Sequence, residues 1–194
     1  MGDKPEIFLV RHGETEWSKL GKHTGVSDIP LTENGLREAK KLGETLLQKE
    51  SFEVVYSSPL LRALETCNAS GFGDQVKIDN DLMEWNYGIY EGVPTTEIRK
   101  KIPNWTVFTH PVPNGETLEE ITTRADRIVS KLRNVKTKAL LFSSGHILRI
   151  LTARWLGLPG KKGACFTLST NSLSILSYER ENPVIKLWNK TLEE

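Results

Sequence analysis

The fold follows most directly from residues 139 to 157, which read ALLFSSGHILRILTARWLG. The first five residues form an apolar run that ends in serine, as in a buried strand, and the apolar residues after position 146 recur at helical spacing. Gly157, with a proline two residues later, is typical of a helix end. A strand that passes directly into a helix predicts an α/β fold, in which strand ends bring side chains to the rim of a pocket.

The same alternation extends along the rest of the chain. Further strands are predicted at 7–10, 53–58, 75–78, 172–178 and 184–188, and helices at 31–48, 95–101 and 117–133. Ser58 and Pro59 predict the N-cap and the first residue of one more helix. Together these elements predict one domain over residues 1–194, a three-layer sandwich with a mostly parallel central sheet and helices on both faces.

Composition and charge argue against several classes of protein. The 194 residues carry a net charge of +1, so we expect neither nucleic acid nor a membrane surface as a partner. Cys67 and Cys165 lie far apart in sequence and form no C-x-x-C pattern, which predicts ordinary thiols. No stretch approaches the roughly 20 apolar residues of a membrane span. We expect a cytoplasmic or nucleocytoplasmic protein, and a homo-oligomer stays open because the C-terminal strands could pair between subunits.

Three predicted strands end in residues that suit phosphate chemistry. The first strand is followed by Arg11 and His12, and the second is followed one helical turn later by Arg62. The strand at 139–143 is followed by Ser144 and His146. Arginine binds phosphate oxygens bidentately, and a nearby imidazole can attack phosphorus to form a phosphohistidine. The strand ends therefore predict a site for a small phosphate ester.

A fourth stretch, at 79–92, reads DNDLMEWNYGIYEG and places Glu84 among aromatic residues. An in-line displacement at phosphorus needs an acid for the leaving oxygen, and Glu84 is the candidate for that role. No P-loop motif offers a cradle for nucleotide phosphates. The predicted chemistry therefore depends on fixed cations, without a metal or another cofactor.

Several stretches of the sequence also resemble a known family. They read VRHGETEWS (10–18), SSPLLRALET (57–66), LMEWNYGIYEG (82–92), PNGETLEEITTR (113–124) and FSSGHILR (142–149). In this order they resemble the motifs of the histidine phosphatase superfamily, the phosphoglycerate-mutase-like proteins. The resemblance runs from about residue 6 to the C-terminal hairpin. Within the family, the stretches at 11–32 and 84–92 look most like the fungal sedoheptulose-1,7-bisphosphatase branch.

The resemblance implies roles for individual residues. It makes His12 the nucleophile and Glu84 the proton donor. Residues that would bind the phosphate or the rest of the substrate are, in chain order, Arg11, Ser18, Lys22, His23, Thr24, Gly25, Arg62, Ser144 and His146. If the substrate is a bisphosphate, Lys22, His23, Thr24 and the cations at 99–101 are candidates for its distal end.

Ser144 falls where the family has its second catalytic histidine, so the sequence departs from the family at this position. A serine hydroxyl is neutral and lacks the charge that an imidazolium would give to the phosphoryl oxygens. We therefore expect a metal-independent phosphohydrolase of small phosphorylated metabolites, such as sugar bisphosphates, with attenuated activity. The alternatives are a phosphate-binding pseudoenzyme, an inactivated variant that traps substrate, and a phosphoglycerate mutase. The mutase is less favoured because the stretch at 93–113 lacks an adjacent Arg-Arg pair.

Other residues of these motifs are assigned structural roles. Arg149, in the last motif, is expected to form an ion pair. Trp85 and Tyr87 are expected to pack under a loop, although they could form the floor of the pocket.

Overall fold

A central sheet of six strands forms the middle layer of the structure, a computed structural model that describes residues 4–192. The strands are β1 (Glu6–Arg11), β2 (Val54–Ser57), β3 (Val76–Ile78), β4 (Lys138–Ser143), β5 (Leu173–Glu179) and β6 (Asn182–Lys190). They lie side by side in the order β3-β2-β4-β1-β5-β6. The first four in this order are parallel, whereas β5 and β6 are antiparallel to their neighbours. The predicted mostly parallel sheet is confirmed.

Helices connect the parallel strands and cover the sheet. They are α1 (Glu16–Lys19), α2 (Glu33–Leu42), α3 (Leu61–Ala69), α4 (Thr95–Lys101), α5 (Leu118–Leu132) and α6 (Gly145–Trp155). A π-helical turn at Gly43–Leu47 continues α2, and short 3₁₀ turns lie at Gly73–Gln75, Asn80–Leu82, Gly88–Tyr90 and Gly160–Cys165. Within residues 4–192, no helix is long and apolar enough to cross a bilayer.

The side chains of β1 show that both faces of the sheet are covered. Ile7 and Leu9 belong to a buried cluster that includes the apolar sides of α5 and α6. Phe8 and Val10, which point the other way because strand side chains alternate, belong to a cluster with Leu42 of α2. The predicted sandwich of a sheet between two helical layers is therefore confirmed.

The start of α3 differs from the prediction. The helix begins at Leu61, and its N-cap is Leu60, whose side chain makes no capping bond. Instead, a carboxylate from another loop acts as the cap, because Asp28 Oδ1 accepts a hydrogen bond from Leu61 N at 2.7 Å. Ser58 Oγ accepts from Leu60 N at 3.3 Å, before the helix begins. The expectation that Ser58 and Pro59 start the helix was wrong because a distant side chain fixes its first turn.

The prediction for α5 is confirmed. Thr117 is the N-cap, and its side chain accepts a hydrogen bond from Glu120 N. Glu120 in turn accepts from Thr117 N, which completes a capping box at the start of the helix.

The carboxyl ends of three parallel strands meet at one edge of the sheet, as the sequence predicted. β4 lies between β1 and β2, so all three ends are adjacent. His12 N donates to Ser143 O at 2.8 Å, and Ser58 N donates to Phe142 O at 3.0 Å. The residues that follow these strands are therefore brought together by the sheet itself.

Candidate active site

A cavity of about 200 Å³ opens at the carboxyl ends of β1 and β4. Most of the residues predicted for the site line it, namely Arg11, His12, Ser18, Lys22, His23, Thr24, Glu84 and His146. The predicted residues Gly25, Arg62 and Ser144 are buried and do not line this cavity. No group of three or more His, Cys, Asp or Glu side chains in the described part of the chain, 4–192, could hold a metal ion.

His12 is held in one orientation at the end of β1. Its side chain is buried, and Nδ1 lies 2.8 Å from Gly13 O. Because a carbonyl only accepts, Nδ1 carries the proton and the lone pair of the neutral ring is on Nε2. Burial, followed by the charges of Arg62 and Arg11, holds the pKa of His12 well below its usual range. The imidazole is therefore neutral near pH 7, the form that can act as a nucleophile.

Three polar atoms around this histidine are buried and have no hydrogen-bond partner within residues 4–192. They are Arg11 Nε, Arg62 Nε and Ser144 Oγ. An unpaired buried polar group costs about 1–3 kcal/mol, so such groups are usually satisfied by a ligand, an ion or water. Arginine Nε–H groups and a hydroxyl are donors that suit an anion.

The two arginines contribute differently to the site. Arg11 lines the cavity, and one of its Nη atoms donates to Leu168 O. Arg62 is fully buried, and its Nη atoms donate to the backbone oxygens of the loop at 24–27, at 2.8 to 2.9 Å. Arg62 therefore holds the rim of the pocket in place, with only Nε left for a ligand.

Glu91 holds the same loop from the other side, and sequence reasoning missed it. Its carboxylate accepts from the backbone N–H groups of residues 25, 26 and 27 at 3.1 to 3.4 Å and from the Ser27 hydroxyl at 2.8 Å. A Cβ on Gly25 would lie 2.2 Å from this carboxylate, so only glycine fits there. The backbone of Gly25, predicted to contact substrate, is used to shape the loop. The signal was the glutamate next to the end of the motif YGIYEG, at 87–92.

Glu84 lies at the N-terminus of α6. Its carboxylate accepts from Trp85 N at 2.9 Å, from Ile147 N at 3.0 Å and from His146 N at 2.9 Å. The side chain of Ser144, the N-cap residue, makes no such bond, so Glu84 acts as the cap of this helix. The helix end thus places a buried carboxyl group beside the cavity that His12 lines.

Two further histidines line the pocket among aromatic rings. His146 Nδ1 lies 2.6 Å from the Tyr87 hydroxyl, and His23 Nε2 lies 3.1 Å from Thr95 Oγ1. Burial lowers the pKa of both rings, and that of His146 falls well below its usual range. The 3.9 Å approach of His146 to Glu84 is therefore not an ion pair at neutral pH. Tyr87 is buried and lines the cavity, so the predicted packing residue also forms part of the pocket wall.

A second cavity of about 230 Å³ adjoins the first, and both are lined by His23, His146 and Arg149. Arg149 donates to Gly163 O at 3.0 Å and lies 5.1 Å from the centre of the Phe108 ring. No carboxylate within residues 4–192 lies at ion-pair distance from it, so the expected ion pair was wrong. Packing on Phe108 and the two carbonyls of the Gly160–Cys165 turn take its place.

Comparison with known proteins identifies the family. The sequence model of the histidine phosphatase superfamily (branch 1) matches residues 7–191. The chain belongs to this superfamily. The match spans the motifs of β1, β2 and β4 and the segment of Glu84, so the predicted family is confirmed.

Relatives within the superfamily include named phosphatases. An acid phosphatase of Mycobacterium tuberculosis is 38% identical, over 89% of this chain and 86% of its own length. Sedoheptulose 1,7-bisphosphatase of Saccharomyces cerevisiae is 34% identical, over 94% of this chain and 79% of its own length. The solved structure of an open reading frame product of Mycobacterium tuberculosis has a TM-score of 0.91 and 36% identity, and covers 96% of this chain and 97% of its own. The predicted phosphatase class within the superfamily is thereby supported by sequence and by fold.

Proposed function

We propose that this chain is a phosphohydrolase of small phosphorylated metabolites, in which His12 is the nucleophile. The observation that carries the proposal is the state of His12, a neutral buried imidazole whose Nε2 lone pair is left for the cavity. Arg11, with an unpaired buried Nε, lines the same cavity and supplies a fixed positive charge for the phosphate.

The proposed reaction has two displacements at phosphorus. In the first, His12 Nε2 forms a bond to phosphorus while the bond to the ester oxygen breaks, and Glu84 gives a proton to that oxygen. In the second, water attacks the phosphohistidine, its proton goes to Glu84, and inorganic phosphate and the neutral histidine are released. In this scheme the proton is exchanged at Oε2, which within residues 4–192 accepts a single hydrogen bond, from His146 N at 2.9 Å, whereas Oε1 accepts two.

Ser144 supports an attenuated rate. It is fully buried at the end of β4, beside the site, and its neutral hydroxyl stands where the resemblance places a second catalytic histidine. Removal of one such donor typically lowers kcat by about 10²–10³-fold. The same observation favours the second candidate function, a phosphate-binding protein with little or no turnover, because Arg11 and Arg62 are retained.

For the substrate, we propose a sugar bisphosphate whose second phosphate occupies the adjoining cavity. Arg99 lines that cavity alone and Arg149 lines both cavities, so two cations face the proposed position of the second phosphate. Of the other predicted distal cations, Lys100 pairs with Glu97 at 2.8 Å on the surface. The name of the yeast relative, a bisphosphatase, agrees with a substrate of this class.

The central experiment compares this chain with Ser144→His and His12→Ala on sugar mono- and bisphosphates and an aryl phosphate. Hydrolysis by the chain, a higher rate in Ser144→His and no rate in His12→Ala support the phosphohydrolase. If neither the chain nor Ser144→His hydrolyses any ester, but phosphate raises the Tm, the binding protein is the correct function.

A matched pair of variants tests the bisphosphate. Arg99→Gln removes a cation that lines the second cavity, whereas Lys100→Gln removes its exposed neighbour. We expect Arg99→Gln to raise KM for the bisphosphate about tenfold or more, because a hydrogen bond to a charged group contributes about 1.5–3 kcal/mol. KM for the monophosphate should not change, and Lys100→Gln should change neither. Equal effects on both substrates would rule out this use of the cavity.

A further inference from the structure

We infer that Arg124 is a positioning residue for Glu84, held in place by Glu116. The inference rests on the proposed function, because it assigns to Arg124 the task of placing the proton donor. The resemblance to a family gave Arg124 and Glu116 no role, although both belong to the motif PNGETLEEITTR at 113–124.

The guanidinium of Arg124 binds the backbone that carries Glu84. Nη1 donates to Asp81 O at 2.6 Å and to Met83 O at 2.8 Å, and Nη2 approaches Glu84 O at 3.4 Å. Asp81 lies within the short turn Asn80–Leu82, and Met83 and Glu84 follow it in a segment that is neither helix nor strand. Their hydrogen bonds therefore have to come from outside the segment, and the fixed fork of an arginine can bind several carbonyls at once.

Glu116 holds Arg124 in place and also binds the residues that follow Glu84. Its carboxylate accepts from Arg124 Nε at 2.6 Å and from Arg124 Nη2 at 2.7 Å, with the side chains of the pair only 15% and 14% exposed. The backbone of Glu116 accepts from Trp85 Nε1 at 2.7 Å and donates to Asn86 O at 2.9 Å. The pair thus holds the backbone on both sides of Glu84.

The position of this backbone matters because the Glu84 carboxylate has to bind the N-terminus of α6 and face the cavity at the same time. Its carboxylate caps α6 through the N–H groups of residues 146 and 147, and it lines the cavity in which the proposed reaction needs a proton donor. A displacement of about 1 Å in a reacting group can cost about 10²-fold in rate. Arg124 lines neither the cavity of His12 nor the one that adjoins it, but a separate cavity of about 680 Å³ that Glu84 and Glu116 also line. Its link to the His12 cavity therefore runs through Glu84, which lines both.

Two substrates with different leaving groups can show whether Arg124 positions the proton donor or only stabilises the fold. An alkyl phosphate needs a proton on the departing oxygen, whereas p-nitrophenyl phosphate releases a stable anion and does not. We expect Arg124→Gln to lower kcat for the alkyl ester by about 10²-fold, with KM unchanged. Its kcat for p-nitrophenyl phosphate should stay within about twofold. Arg124→Lys, which keeps the charge but lacks the fork, should recover part of the loss.

Two controls complete the experiment, which is run in this chain and in its Ser144→His variant. Arg127 lies one helical turn from Arg124 on α5, and within residues 4–192 its side chain bonds only to the Asp81 side chain. Arg127→Gln should therefore change neither rate. In a Glu84→Gln background, Arg124→Gln should cause no further loss, because the group it positions is already absent. The Tm of each variant shows whether it folds, and Arg124→Lys keeps the test possible if Arg124→Gln does not.

Three results would overturn the inference, and they can be told apart. Equal losses on both esters that add to those of Glu84→Gln make Arg124 a structural residue only, with the proposed function intact. If Glu84→Gln itself does not discriminate between the esters, the proton donor of the proposed function is wrong. If neither background hydrolyses any ester, the proposed function fails and the inference fails with it.

Discussion

The carboxyl ends of β1 and β4 are hydrogen-bonded neighbours, yet the residues that follow them are held in different ways. At the end of β1, His12 has one ring nitrogen bound to Gly13 O and the other left for the cavity. At the end of β4, Ser144 is fully buried, and its hydroxyl has no partner within residues 4–192. Arg11 Nε at the β1 end also lacks a partner within these residues, so the two ends differ in what they present: an arginine and an imidazole after β1, and a neutral hydroxyl after β4.

In the proposed reaction, this difference separates binding of the phosphate from its turnover. The β1 end would supply the nucleophile and the cation of Arg11, which bind and attack the phosphate. The β4 end would adjoin the phosphoryl oxygens, where a neutral serine offers less stabilisation to the charge that develops in the transition state. Variants at the two ends should therefore change different steps.

The largest effect is expected at the β1 end. His12→Ala removes the nucleophile, and kcat should fall by about 10⁴-fold or to the limit of detection. Phosphate should still raise the Tm of the variant, because Arg11 and Arg62 remain. His110→Ala, outside both cavities, is the control. Hydrolysis that persists in His12→Ala would contradict the proposed nucleophile.

The next effect is expected at the β4 end. Ser144→His should raise kcat by about 10²–10³-fold, since it restores a charged donor near the phosphoryl oxygens. Ser144→Asn, which is polar but neutral, is the matched control and should give a much smaller gain. An equal gain from both variants would show that charge at this position does not matter.

Acid should lower the free energy of unfolding, since a buried histidine follows each of the two strands. Burial lowers the pKa of His12 and His146 below that of an unfolded histidine, about 6.5. Below that pH the unfolded chain binds protons that the folded chain does not. The free energy of unfolding should be highest above about pH 6.5. On acidification it should fall by up to about 1.4 kcal/mol per pH unit for each histidine.

Urea unfolding across this pH range measures the slope. His146→Gln should remove one histidine's share of it, up to about 1.4 kcal/mol per pH unit. An unchanged slope would mean that His146 is not buried in its neutral form.

The smallest effect is expected from two adjacent serines. Ser144→Ala removes a buried hydroxyl without a partner in the described chain and should raise the free energy of unfolding by about 1 kcal/mol. Ser143→Ala should lower it by about 1 kcal/mol, because Ser143 Oγ donates to Leu82 O. Thermal unfolding without phosphate checks both signs. The same sign for both variants would show that the Ser144 hydroxyl has a partner in solution.

The fold could be predicted because its central strands carry a strong local signal. β1 and β4 are buried on both faces, so their apolar runs are continuous and stand out in the sequence. The start of α3 could not be predicted, since its first turn is capped by Asp28 from a separate loop. Local patterns at Ser58 and Pro59 contain no information about that contact.

The site was predictable where sequence order determines position, and not where a contact with a distant segment decides. Arg11 and His12 follow directly from β1, and the sheet brings them to the cavity. Arg62 has the same chemistry as Arg11, yet most of its donors go to the loop at 24–27, far away in the chain. Arg149 was misassigned for the same reason, because Phe108 and the turn at Gly160–Cys165 decide its surroundings.

The loop at 24–27 is held mainly through its main chain, and this has a consequence for how such a protein can diverge. Arg62 binds its carbonyl oxygens and Glu91 binds its N–H groups, so neither contact depends on which side chain stands at Val26. Val26 is 43% exposed and lines the separate cavity beside Glu84 rather than the one that His12 lines. Substitutions at this position can therefore change that neighbouring surface while the backbone that presents Thr24 to the site keeps its shape. New contacts can arise there by drift, with the phosphate end of the site left intact.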